Sequence, residues 1–101
     1  LGTAPVKDYI DKLPEDHKQS IRTAKAAVLL AGLRAARHLR GDLYEVRAYA
    51  VGRHYRLIFS LEGRRALIQF DIFDKDDNKT SEAIIKRAQA RLADWRSRGN
   101  V

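Results

Sequence analysis

Residues 43–59 read LYEVRAYAVGRHYRLIF. Apolar side chains fall at Tyr44, Val46, Ala48 and Ala50, and beyond Gly52 at Tyr55, Leu57 and Phe59. That is a period of two on either side of a glycine, rich in aromatic and β-branched residues. It predicts two antiparallel strands joined by a tight turn. The same stretch carries Arg47, Arg53, His54 and Arg56. Like charges directly opposite one another across a sheet repel. Cations in the middle of a hairpin therefore need either open water or an anion between them.

Alternation continues into a third strand, from about Arg65 to Phe73, with Ala66, Ile68, Phe70 and Ile72 on one side. Two-residue turns are the commonest hairpin loops. Placed at Gly52-Arg53 and Glu62-Gly63, they pair Val51 with His54 and Leu61 with Arg64. One face then collects Val46, Leu57, Phe59, Ile68 and Phe70, ready to pack on helices. The other collects Glu45, Arg47, Tyr49, His54, Arg56, Gln69 and Asp71, with Ile58 and Leu67. Slipping either hairpin by one residue would drive these charges into the core, so the hydrophobic pattern supports this arrangement. An antiparallel sheet commonly leaves one face in water, and that alone accounts for the polar set. Aromatic rings among cations also suit RNA, whose unpaired bases stack on them.

Helices flank the strands. A short one is predicted from Pro5 to Lys12, ended by Pro14, which also opens a second from Glu15 to Ala31. Gly32 is its stop signal. His17, Ile21, Ala24, Val28 and Ala31 form its apolar stripe, with His17 at the rim. Ala26, Ala27, Leu29 and Leu30 broaden that stripe and predict a well-buried helix. A final helix is expected from about Ser81 to Trp95, capped by Thr80 or Ser81. Ile84, Ala88, Leu92 and Trp95 face inward, while Lys86, Arg87, Arg91 and Arg96 form a solvated face. The order predicts an α+β fold: an N-terminal helical hairpin, an antiparallel β-meander and a C-terminal helix.

Composition narrows the function. The chain has 101 residues, enough for a single domain spanning 1–101. Lys and Arg number 20 against 13 acids, a formal charge of +7, which suits a polyanionic partner. Without cysteine there is no disulfide and no thiolate ligand. His17, His38 and His54 lack ligand spacing, so no metal site is expected, and nothing calls for a cofactor. No apolar run reaches membrane-spanning length and LGTAPVKDYI has no signal-peptide pattern, so a cytoplasmic protein without membrane association is expected.

Several stretches together resemble the RelE/HigB superfamily of bacterial and phage-derived toxins, in particular its HigB-like branch. They are PVKDYI followed by Leu13-Pro14, then GDLYEVR, YRLIF, LIQFDIF, and a tail in which Phe73 and Lys75 precede Lys79-Thr80 and an alanine-rich helix. The resemblance covers residue 5 to about 96. It implies a fold related to microbial ribonucleases and the toxin of a type II toxin–antitoxin pair. Such toxins enter the ribosomal A site and cleave mRNA. The implied partner is a cognate antitoxin, often of helix-turn-helix type. By position, Arg47 and Arg56 match basic residues around the scissile phosphate, and Lys75 matches the first lysine of the family's tail. Asp76 stands where that tail often has a second lysine, and Glu45 where some relatives are basic. The family also has a strand ahead of its PV-x-x-YI segment, so about one strand's length of chain is expected to precede Leu1.

Metal-free RNA cleavage requires a base for the 2′-OH, cations for the crowded phosphorane and an acid for the 5′-oxygen. Arg47 and Arg56 supply guanidinium donors matched to phosphate oxygens, and Lys75 a point charge. His54 is the strand histidine able to move a proton. Tyr49, Arg53 and Lys79 are the expected RNA contacts. Asp71 either orients a base or pairs with an arginine. Two other classes fit the same core pattern: a ParE-like toxin that inhibits DNA gyrase by binding, and an inactive relative that only binds.

Overall fold

The computed structural model describes residues 4–63, 66–74 and 80–99. Helix α1 spans Ala4–Asp11 and α2 spans Glu15–Ala31. After α2 a 3₁₀ turn, Gly32–Ala35, leads into four strands: β1 Arg37–Arg40, β2 Leu43–Ala50, β3 Arg53–Glu62 and β4 Ala66–Asp74. Helix α3, Glu82–Ser97, completes the described chain. The strands form one antiparallel sheet in the order β1-β2-β3-β4. The expected α+β architecture is therefore present: helical hairpin, meander and C-terminal helix. Among the described residues, no helix is long and apolar enough to cross a membrane.

Helices cover both faces of the sheet. On one, α1 and α2 bring Val6, Ile21 and Val28 against Val46, Leu57, Phe59 and Ile72. On the other, α3 brings Ala88 and Leu92 against Leu43, Ile58, Ile68 and Phe70. Trp95 meets Phe70 edge to face, with ring centroids 6.4 Å apart. Ser81, rather than Thr80, caps α3: its hydroxyl accepts from the Ile84 N–H at 3.3 Å. That satisfies one of the donors orphaned at a helix start.

Four expectations are corrected here. Strand β1 was not anticipated, because RHLR is too short and too polar to show alternation. The first hairpin turns at Val51-Gly52, pairing Ala50 with Arg53 rather than Val51 with His54. Gly52 takes φ 75°, a left-handed conformation that suits glycine. A displacement of two residues keeps every β2 and β3 side chain on its expected face. The second hairpin pairs Glu62 with Ala66, so β3 runs on past Leu61, and a bulge follows. Between Ile58 and Phe59 the partners change from Asp71 to Gln69. The extra residue reverses the alternation of β4. Ile68 and Phe70 therefore face α3, while Leu67 and Gln69 face α2. Lastly, α2 is buried along one stripe only. Ala26, Ala27, Leu29 and Leu30 are exposed.

Candidate functional site

The α3-side face of β2 and β3 carries two adjacent cross-strand pairs, Arg47 with Arg56 and Tyr49 with His54. The two guanidinium groups stand opposite one another, the arrangement that should repel. The anion that relieves it is in the chain itself. Glu45, one repeat along β2, is 1% exposed, and its Oε1 lies 3.7 Å from Arg47 Nε and 3.8 Å from Arg56 Nη1. These distances are too long for hydrogen bonds, and Oε1 accepts none among the described residues. Glu45 thus acts on both arginines as a charge. Its Oε2 accepts from the Thr80 hydroxyl, and Thr80 Oγ1 also accepts from Arg56 Nη1 at 3.4 Å.

Burial divides the set. Arg56 is 2% exposed and Thr80 is buried with it, so the expected open cationic face is a buried polar cluster at this point. The reason is α3. It lies over this half of the sheet, and Thr80, just ahead of it, covers Arg56. Arg47 is the outward member, with 37% of its side chain exposed. Tyr49 and His54 are exposed beyond it, their ring centroids 5.2 Å apart in an edge-to-face contact. A charged floor with a cation, a phenol and an imidazole at its rim can seat a phosphate and an adjoining base.

Arg53 is not part of this group. Its register puts it on the α2 side, where Arg53 Nη1 donates to Asp74 Oδ2 at 2.7 Å. The His54 N–H donates to Asp74 Oδ1 at 3.1 Å. The Arg53 hydrogen bond is the main cause holding the Asp74 carboxyl below its ordinary value. Arg53 instead borders an open cleft of about 550 Å³ with Tyr9, Lys12, Pro14, His17 and Tyr55. His17, expected as a bare rim residue, shares a 2.7 Å hydrogen bond between its Nδ1 and the Tyr55 hydroxyl. Burial pushes the Tyr9 and Tyr55 phenols up, so both are neutral hydroxyls at physiological pH. Lys75 and Lys79 lie outside the described residues.

The charges expected to be a solvated face of α3 are largely committed. Arg87 Nε donates to Asp71 Oδ2 at 2.7 Å, and Arg91 Nη1 lies 3.5 Å from Asp71 Oδ1. Arg96 Nε donates to Glu62 Oε1 at 2.7 Å. Asp71 is therefore an arginine partner. Sequence reasoning put Glu45 on this face without naming it as the counter-charge, and did not place Thr80 there. Glu45 had a signal, since its face parity matches Arg47. Thr80 had none, being 35 residues from the carboxylate it meets.

Residues 8–93 match the family described as Phage derived protein Gp49-like. Two proteins named "Probable endoribonuclease HigB1", from Mycobacterium tuberculosis strains CDC 1551 / Oshkosh and ATCC 25618 / H37Rv, are each 27% identical to this chain over 97 residues. The match spans 94% of this chain and 77% of each relative. With 8–93 matched, nearly the whole described fold falls inside one family, and the chain belongs to the phage-derived Gp49-like family, of RelE/HigB type.

Proposed function

We propose that this chain is the toxin of a type II toxin–antitoxin pair and cleaves mRNA in the ribosomal A site without a metal. The observation that carries the reading is the Arg47–Arg56 pair set directly across β2 and β3, with Glu45 as its one counter-charge among the described residues. A pair of opposed guanidiniums is a poor structural device and a good phosphate seat. The likeness to proteins named as endoribonucleases supports the same direction.

In this mechanism the 2′-OH loses its proton and its oxygen attacks the adjacent phosphorus. The bond to the 5′-oxygen breaks and that oxygen takes up a proton, leaving a 2′,3′-cyclic phosphate. Arg47, at the rim, contacts the phosphate oxygens. Arg56, buried beneath, supplies positive potential where the phosphorane gains charge. Their attraction grows as the second negative charge develops, so the transition state gains more than the substrate. His54 is placed to move a proton, and Tyr49 beside it offers a ring for the neighbouring base. Lys75 and Lys79 add cationic contacts to the RNA.

Cleavage of ribosome-bound mRNA by the wild type and by Arg47→Ala tests this. Single-turnover cleavage should fall by about a hundredfold, the scale of losing one preorganised electrostatic contact. Ribosome affinity should fall less, because many dispersed cations share it. A wild type that cleaves no mRNA while inhibiting gyrase would replace this reading with the ParE-like one. The burial of Arg56 is the observation that favours that alternative.

A further inference from the structure

The last six residues of α2 read AAVLLA, apolar on every side, yet only the Ala24–Val28 stripe is buried. Leu30 is 89% exposed and Leu29 is 55% exposed. Ala26 and Ala27 lie beside Leu30 on the outer surface, one turn away. A helix that is apolar all round is normally enclosed. This one has its sheet on one side and no described element on the other.

The charge around the patch identifies what fits it. From His17 to Gly41 there is no acid, and four cations lie on α2 or just past its end: Lys18, Arg22, Lys25 and Arg34; Arg40 pairs with Glu82 of α3 on the opposite layer. Lys25, which donates to Gln69 Oε1 at 3.3 Å, and Arg22, which pairs with Glu15 at 2.9 Å, lie one and two turns before Leu29 on its own side of the helix. Arg34 Nε donates to the Ala31 carbonyl at 3.4 Å, which places it at the patch's far end. A second copy of this chain would bring the same cations against these, so self-association is opposed. The two alanines beside Leu30 leave a shallow floor with one projecting knob, a surface on which another helix can approach closely.

We infer that the outer face of α2 docks a protein partner through an amphipathic helix whose apolar stripe is flanked by aspartate and glutamate. The inference rests on the toxin reading, under which that partner is the antitoxin. It places the docking surface on a different layer of the fold from the Arg47 site. The partner then need not cover that site to bind.

The full chain is to be titrated with the purified product of the reading frame adjoining its gene, followed by amide exchange and by mRNA cleavage of the free chain. Leu29→Ser with Leu30→Ser should weaken binding at least about a hundredfold, as expected for central apolar anchors. The thermal midpoint and the free chain's cleavage rate should not change. Exchange should slow over residues 26–33 on binding, and Arg34→Glu should cost about tenfold at low salt. Unaltered binding by the double variant, or protection confined to the Arg47–His54 face, overturns the inference and leaves the toxin reading standing. Absence of any complex overturns it too, and absence of both complex and mRNA cleavage also removes the toxin reading. Binding of vesicles of phosphatidylglycerol and phosphatidylcholine through the same leucines, without a protein complex, would make the patch a membrane contact and overturn the inference.

Discussion

Glu45 illustrates how much rests on one side chain. It is the sole carboxylate recorded within 4 Å of both Arg47 and Arg56 among the described residues, and it holds Thr80 as well. Removing one member of a buried charge group strands the other. Glu45→Ala should therefore cost about 3–5 kcal/mol in a urea titration. Glu45→Gln should cost less, because it keeps an acceptor for the Thr80 hydroxyl. Arg56→Ala is also expected to be destabilising, and the double variant Glu45→Ala with Arg56→Ala should fall short of the summed losses by about 1–3 kcal/mol. Additive losses would show that the carboxylate is not the counter-charge. Side-chain periodicity was enough to put Glu45, Arg47 and Arg56 on one face. It could not show that Arg56 is buried, because the residue that covers it lies far along the chain.

At the scale of elements, the free end of the β3–β4 hairpin is fastened by Asp74, which accepts from Arg53 and from the His54 N–H. The Arg53 hydrogen bond lowers the Asp74 pKa below its ordinary value of 3.8. A carboxyl whose folded pKa is depressed adds stability above its unfolded value and loses it as the pH falls through the folded one. Asp74→Asn should therefore lower the melting temperature at pH 7. The gap from wild type should narrow as the pH drops below about 4, with the sign set by that depression. A gap that stays constant in acid would mean that the carboxylate charge is not what fastens the hairpin. The elements themselves were mostly readable from the chain: the bounds of α2 follow from Pro14 and Gly32, and the parity of β2 and β3 from spacing. Two features were not. The β4 bulge depends on which partner residue is skipped, and alternation within β4 carries no mark of it. The exposed leucines of α2 follow from there being no second layer on that side among the described residues, and a helix's own sequence cannot report that.

For the whole molecule, the sheet is a plain meander with a helical layer on each side, but the two layers come from opposite ends of the described chain. Each layer meets a strand near it in sequence, α2 on β2 and α3 on β4, but α2 packs the more extensively of the two. Contacts near in sequence cost less loop-closure entropy and tend to form first. Ile21 belongs to the first core and Ile68 to the second, so conservative trimming of each reports on its own layer. Ile21→Val and Ile68→Val should each cost about 0.5–1.5 kcal/mol. In stopped-flow refolding the first should mainly slow folding and the second mainly speed unfolding. The reverse pattern would place the nucleus in the α3 layer. Thr80, which joins Arg56 and Glu45, arrives with that late layer. During synthesis the α2 surface is thus complete while the arginine pair still lacks its cover. Under the proposed docking surface, a newly made chain passes through an interval in which its partner can hold it before the arginine pair is covered.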